Sequence, residues 1–247
     1  MIDWQVAPAH AHGEAARLFG DLDSVFALEG EHIAKNPMSE VLRVTVAGTD
    51  YFVKRYTGLG KRPLRRMLDQ PRVATEWLNL QRFATWGIAT APLVAYGLEK
   101  RWGRFIRGAL ITAGIPHATD LRQIAEEGDP RLKSRRWRDG ISHQLALATR
   151  TMHAHGFAHN DLKWRNLLVD DAGRLFFIDC PTGGLWHGPF LRYRIIKDLA
   201  CLDKVAKYHL SRTQRLRFYL DYAQKERLDI ANKKRIRKIV AFFEGRE

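Results

Sequence analysis

The 247 residues predict an α+β fold in two lobes, a β-rich N-terminal lobe with one helix and an α-rich C-terminal lobe. Three observations carry this. Strand-like runs and a single helical period occupy the chain before residue 113. The segment Ala113-Gly114-Ile115-Pro116 then breaks the pattern. Beyond it helical periods dominate, and only two short strand-like runs recur. We therefore expect one domain with an N-lobe over 1–112, a hinge over 113–116 and a C-lobe over 117–247.

Taken in order, residues 40–54 hold two β-rich runs around Ala47-Gly48-Thr49-Asp50, a hairpin signal. Residues 55–72 are a basic loop, with Arg55, Lys61, Arg62, Arg65, Arg66 and Arg72 against one acid, Asp69. From Pro71, the spacing of Val73, Trp77, Leu80 and Ala84 predicts a helix. Leu93–Leu98 and Gly108–Thr112 read as strands. In the second half, Ile141, Leu145, Ala148 and Met152 make one apolar stripe, and Gly156 stands where a C-cap glycine belongs. His153 and His155 fall in that helix's last turn, where a cation is favoured. Leu167–Val169 and Leu175–Ile178 flank the turn Asp170-Asp171-Ala172-Gly173. From about Leu191 the chain reads as helical and basic.

Composition narrows the classes. At 45% hydrophobic and 28% charged residues the chain is an ordinary globular protein, neither disordered nor fibrous. Two cysteines, Cys180 and Cys201, supply neither a disulfide framework nor a four-thiolate metal site, so a reducing compartment is expected. The N-terminus lacks the charged and apolar regions of a secretory signal, and no run approaches the roughly 20 apolar residues of a membrane span. A cytoplasmic protein is expected. Forty-one Lys and Arg against 27 Asp and Glu leave a net charge of +14, which calls for an anionic partner.

The strongest chemical signal is His159-Asn160-Asp161-Leu162-Lys163-Trp164-Arg165-Asn166, followed by the strand pair and Ile178-Asp179. Asn166 is five residues after Asp161, and Asp179 thirteen after Asn166. That is the arrangement of a kinase catalytic loop. Asp161 would accept the proton of the acceptor hydroxyl. Asn166 and Asp179 would offer the hard oxygens that Mg²⁺ takes beside ATP phosphates. Lys163 would offset charge on the transferring phosphate. Isolated Asp-Leu-Lys tripeptides are common in loops; the three-part spacing and the intervening strands make this one specific. Upstream, Lys54 ends a β-run, and Glu76 interrupts the apolar stripe of Val73, Trp77 and Leu80. A carboxylate in such a stripe is costly unless paired, and Lys54 is its expected partner.

These residues resemble the protein-kinase-like fold and, within it, the bacterial lipopolysaccharide core kinases that phosphorylate Kdo or heptose. The resemblance runs from about Ser39 to the C-terminus. It rests on His159–Asn166, Phe177-Ile178-Asp179, Ile196-Lys197-Asp198-Leu199-Ala200 and the stretch Leu210–Tyr219. The resemblance implies that Lys54 and Glu76 are the phosphate-binding ion pair and Asp161 the base. It makes Asn166 and Asp179 the metal ligands, and His159 and Asp198 the braces of the catalytic loop. ATP is then expected in the cleft, its adenine against the hinge backbone at Ala113 and Ile115.

The chain departs from a typical protein kinase in several places. No Gly-rich phosphate loop precedes the first strand of the hairpin; Lys35-Asn36-Pro37-Met38-Ser39 stands there. Asn160 replaces an arginine before Asp161, so phosphorylation could not dock an activation loop on it. Cys180-Pro181 follows Asp179, and proline disfavours a flipping segment. Asp198 follows Asp179 by only nineteen positions, which leaves little room for peptide docking. Other readings stay open: a protein Ser/Thr or RIO-type kinase, a small-molecule phosphotransferase, or a non-catalytic scaffold. Basic clusters at 55–72, at Arg131/Lys133/Arg135/Arg136/Arg138 and at Lys225/Arg227/Lys233/Lys234/Arg235/Arg237/Lys238 favour a phosphorylated glycolipid acceptor. They would also hold the protein at the inner face of the inner membrane. Nucleic acid is not expected, because no zinc or RNP-like pattern accompanies the charge.

Overall fold

The computed structural model describes residues 1–57 and 70–245. Lys61, Arg62, Arg65, Arg66 and Asp69 of the expected basic loop lie outside the described residues. The chain forms two compact units, Met1–Gln81 with Ala91–Ile115, and Arg82–Thr90 with Pro116–Glu247.

Among the described residues, the first unit holds a six-stranded antiparallel sheet. Its strands are β1 (Ile2–Val6), β2 (Glu31–Asn36), β3 (Ser39–Val46), β4 (Thr49–Tyr56), β5 (Leu93–Arg101) and β6 (Arg104–Ala113), in the order β1-β5-β6-β4-β3-β2. β3 and β4 are the expected hairpin. Ala47 and Gly48 close it with φ of 49° and 77°, the left-handed pair that a two-residue turn requires. β5 and β6 run longer than expected and meet at Trp102-Gly103. Two short helices, α1 (Glu14–Leu18) and α2 (Leu22–Ala27), bury Phe19, Leu22 and Val25 against Leu42, Val53, Val94 and Ile111. Asp21 starts α2 by accepting the Ser24 N–H at 2.8 Å, which lowers its carboxyl pKa.

Helix α3 (Arg72–Thr85) takes up the expected period, with Val73 and Leu80 buried and Trp77 stacked on Tyr96 at 4.8 Å. Its end differs from expectation: Phe83, not Ala84, is the buried residue. Phe83 packs with Phe157 and Phe177, ring centroids 5.4 and 6.2 Å apart, within the second unit.

The second unit is mainly helical: α4 (Leu121–Glu126), α5 (Arg135–Ala154), α6 (Gly188–His209), α7 (Arg212–Ala223) and α8 (Ile230–Val240). Short strands β7 (Thr119–Asp120), β9 (Leu167–Val169) and β10 (Leu175–Phe177) form one small sheet. β8 (Phe157–Ala158) pairs with β11 (Gly184–Leu185) in another. Ser134 caps α5, and Gly156 follows its end at φ 71°, as the sequence predicts. Ser211 and Gln214 form a capping box on α7. Ala146, Leu199, Ala200, Tyr219, Tyr222 and Ile239 join α5 to α8 in one core. No helix among the described residues is long and apolar enough to cross a membrane.

Candidate active site

The catalytic-loop segment leaves β8 and closes in a 3₁₀ turn at Trp164–Asn166. The β9–β10 hairpin then returns the chain, and the Ile178 N–H donates to the Asn166 carbonyl at 3.0 Å. Asp179 is thereby placed next to Asn166. The Asn166 amide nitrogen donates to the Asp161 carbonyl at 2.9 Å, a bond that does not use its Oδ1. The Asp161 carboxylate meets the Lys163 ammonium at 2.5 Å and lies 3.9 Å from Arg165. Asp161, Lys163, Asn166 and Asp179 therefore come together. Asn160 and Asp179 hold left-handed φ of 66° and 58°, uncommon away from glycine and typical of site residues.

Asp198 holds this loop from beneath. It is fully buried, and its two oxygens accept the N–H groups of His159 at 2.7 Å and Asn160 at 2.8 Å. His153 Nε2 lies 3.4 Å away on the same carboxylate. His153, in the last turn of α5, is thus a buried partner of Asp198 and Tyr222. His159 is sealed against Phe83, and burial lowers its pKa so that the ring stays neutral. Burial, with Asp198 adding, pushes the Cys201 thiol up to about 11, so it is a poor nucleophile.

In the first unit, register sets Lys54 on β4 between Val41 and Leu110. Its ammonium meets both Glu76 oxygens at 2.9 and 3.1 Å. Glu76 is only 3% exposed, and the Tyr56 hydroxyl donates to it as well. The intrusion of Glu76 into an apolar stripe is resolved by pairing, as the cost of burying a lone carboxylate demands. Ala113 ends β6 and donates its N–H to Pro92 at 2.9 Å. Ile115 is the last residue of this unit.

The model of the lipopolysaccharide kinase (Kdo/WaaP) family matches residues 25–222. The chain belongs to this family. It is a kinase of lipopolysaccharide core sugars, and its phosphoryl donor is ATP. A solved structure described as "WaaP in complex with acyl carrier protein" has the same fold, with a TM-score of 0.74 at 23% identity over 98% of this chain and 97% of that one. None of the curated proteins matches this chain.

For a member of the Kdo/WaaP family, one departure noted in the sequence gains a structural explanation. Asn160 stands where protein kinases carry arginine, and the structure supplies a different arginine. Arg194 of α6 donates to Asn160 Oδ1 at 3.1 Å and stacks over Trp186 at 3.4 Å. The Asn160 amide donates in turn to the Thr182 carbonyl at 2.8 Å. Nothing in the local sequence marks Arg194, which lies 34 residues from Asn160. The segment after Asp179 is held at further points. β11 pairs with β8, Trp186 N–H donates to Gly156 at 2.8 Å, and a Cβ on Gly183 would meet Cys180 Sγ at 2.5 Å. We expect Arg194→Ala to lower kcat about tenfold or more with the KM for ATP unchanged, because a misplaced loop costs turnover before it costs binding. Steady-state kinetics check this; an unchanged kcat would remove Arg194 from the positioning machinery.

The donor set fits Mg²⁺. A carboxylate and an amide oxygen are hard ligands, and a magnesium ion completes its shell with waters and substrate phosphates. Among the described residues no cluster of three or more His, Cys, Asp or Glu could hold a metal without such help. The second unit also has a half-open, mainly apolar pocket of about 500 Å³, lined by Leu121, Trp137, Leu145, Leu202, Phe218 and Ile236 among others.

Proposed function

We propose that the chain transfers the γ-phosphoryl group of ATP to a hydroxyl of heptose or Kdo in the lipopolysaccharide inner core. The observation that carries this is the bonded trio of Asp161, Asn166 and the Ile178-Asp179 step. Asp161 orients the acceptor hydroxyl and takes its proton as the oxygen attacks phosphorus in line. Lys163, already against Asp161, neutralises charge on the group in transfer. Lys54, fixed by Glu76, binds the nucleotide phosphates. Asn166 and Asp179 would hold Mg²⁺, which would supply positive charge against that of the nucleotide phosphates. Ala113 and Ile115 offer backbone groups to the adenine.

The acceptor reading extends to partners. The basic cluster at Arg131–Arg138 is less available than its sequence implies. Arg131 binds Asp129 at 2.8 Å, and Asp139 collects Arg135 and Arg217 at 3.5 and 2.9 Å. On α8, Lys233, Lys234, Arg235, Arg237 and Lys238 pair with no acid among the described residues. α8 is therefore the cluster we propose for contact with an anionic inner-membrane surface, worth about 1 kcal/mol per cation. An acyl carrier protein, the partner in the WaaP structure, is a second proposed partner, and the apolar pocket has room for a fatty-acyl chain.

The deciding experiment is mass spectrometry of the core oligosaccharide from a strain lacking this protein, beside phosphorylation of that core by the purified enzyme with Mg²⁺ and ATP. Loss of one phosphate in the strain and its restoration in vitro are expected. An unchanged core that the enzyme does not phosphorylate would refute the acceptor.

A further inference from the structure

The β5–β6 hairpin ends in Lys100-Arg101-Trp102-Gly103-Arg104, and three features of this tip work against its own stability in water. Trp102 and Gly103 both take left-handed φ, 49° and 75°. Turns of this kind favour Asn, Asp or Gly at the first position, and an indole there is strained. Arg101 and Arg104 stand directly opposite each other in register, a like-charge pair that weakens a hairpin. Trp102 is 94% exposed, so its large apolar area is left in water. The matching β3–β4 turn, Ala47-Gly48, takes the same left-handed φ at its first residue but sets neither an exposed indole nor a facing pair of cations there.

The charge around the tip is only partly compensated. Glu99 is the nearby carboxylate on β5, and it is taken up by Arg107 at 2.8 Å and Arg101 at 3.7 Å. Lys100 and Arg104 pair with no acid among the described residues. Ile2, opposite Glu99 in register, and Ile106 leave further apolar surface exposed at the same end of the sheet.

We propose that this tip is a docking point for an anionic phospholipid bilayer, with Trp102 seated at headgroup depth and Lys100, Arg101 and Arg104 against lipid phosphates. Each unfavourable feature changes sign there. Indoles concentrate at the membrane–water interface, cations gain from the negative surface, and lipid phosphates relieve the Arg101–Arg104 repulsion. The tip is separate from the three basic clusters of the sequence. The proposal shares with the function proposed above the membrane-borne acceptor and the anionic surface assigned to α8, and adds a second contact on the first unit.

Co-sedimentation with vesicles of phosphatidylglycerol and phosphatidylethanolamine, against vesicles of phosphatidylcholine alone, tests it. Trp102→Asn installs a residue that the turn prefers. We expect its Tm to stay level or rise while binding to the anionic vesicles falls about fivefold or more. Arg101→Gln with Arg104→Gln should weaken binding about fivefold per lost cation at low salt, with the difference shrinking at high salt. Unchanged binding in both variants would overturn the proposal. So would a Tm loss in Trp102→Asn, which would mean a packing role, or wild-type self-association that Trp102→Asn abolishes, which would assign the tip to a second copy of the chain. Phosphorylation of a soluble, deacylated core acceptor should be the same in all these proteins; that readout tests the kinase reading and is independent of vesicle binding.

Discussion

Asp161→Asn is expected to lower kcat by about 10²- to 10⁴-fold while ATP still binds. The substitution keeps the shape of the side chain but leaves no carboxylate to take the acceptor's proton. The local frame should survive, because Asn166 donates to the Asp161 backbone carbonyl at 2.9 Å, and its approach to the side chain is a long 3.5 Å. Lys163 loses the partner it now meets at 2.5 Å and stays exposed enough to remain solvated. The loss should therefore fall on kcat and not on the KM for ATP, the pattern of an interaction made in the transition state. Single-turnover kinetics with saturating ATP, beside a nucleotide-binding titration, separate the two. Turnover at the wild-type rate would remove Asp161 from the chemistry.

Asp198→Asn should cost about 3 kcal/mol of stability and most of the activity with it. Asp198 is fully buried, and both its oxygens are used by backbone donors of the catalytic loop. An amide turns one acceptor into a donor. One of the His159 and Asn160 N–H groups then faces an NH₂ group and stays unsatisfied in the interior, where a desolvated donor is expensive. The left-handed φ of Asn160 depends on this anchoring and would relax. Urea unfolding of the variant should show a lower midpoint with an unchanged slope. A midpoint equal to wild type would show that the loop does not lean on Asp198.

The parts of the site legible in the sequence are those where chemistry constrains both residue type and spacing. Asp161, Asn166 and Asp179 stand out in the sequence because a kinase loop would need a base and two oxygen ligands at fixed chain distances around one strand pair. Glu76 was found because a carboxylate in an apolar stripe needs a reason, and Lys54 supplies it at 2.9 Å. The β3–β4 hairpin announced itself through Ala47-Gly48-Thr49-Asp50. What stayed hidden depends on tertiary proximity. Arg194 reaches Asn160 from another helix, and Arg217 reaches Asp139 across 78 residues, so neither the loop clamp nor the neutralised cluster shows in a local charge count. β1, α1, α2 and β2 span five or six residues each, too few for a period to stand out. Phe83 displaced Ala84 as the buried residue because the end of α3 packs among Phe157 and Phe177, partners distant in sequence.

The segment between Asp179 and α6 has consequences beyond geometry. With Thr182 tied to Asn160, Gly183 closed against Cys180 and Trp186 clasped by Arg194, it holds one arrangement with no charged group added to it. An enzyme built in this way would need no phosphate on this segment to reach its working arrangement, because uncharged contacts and a single arginine already hold it.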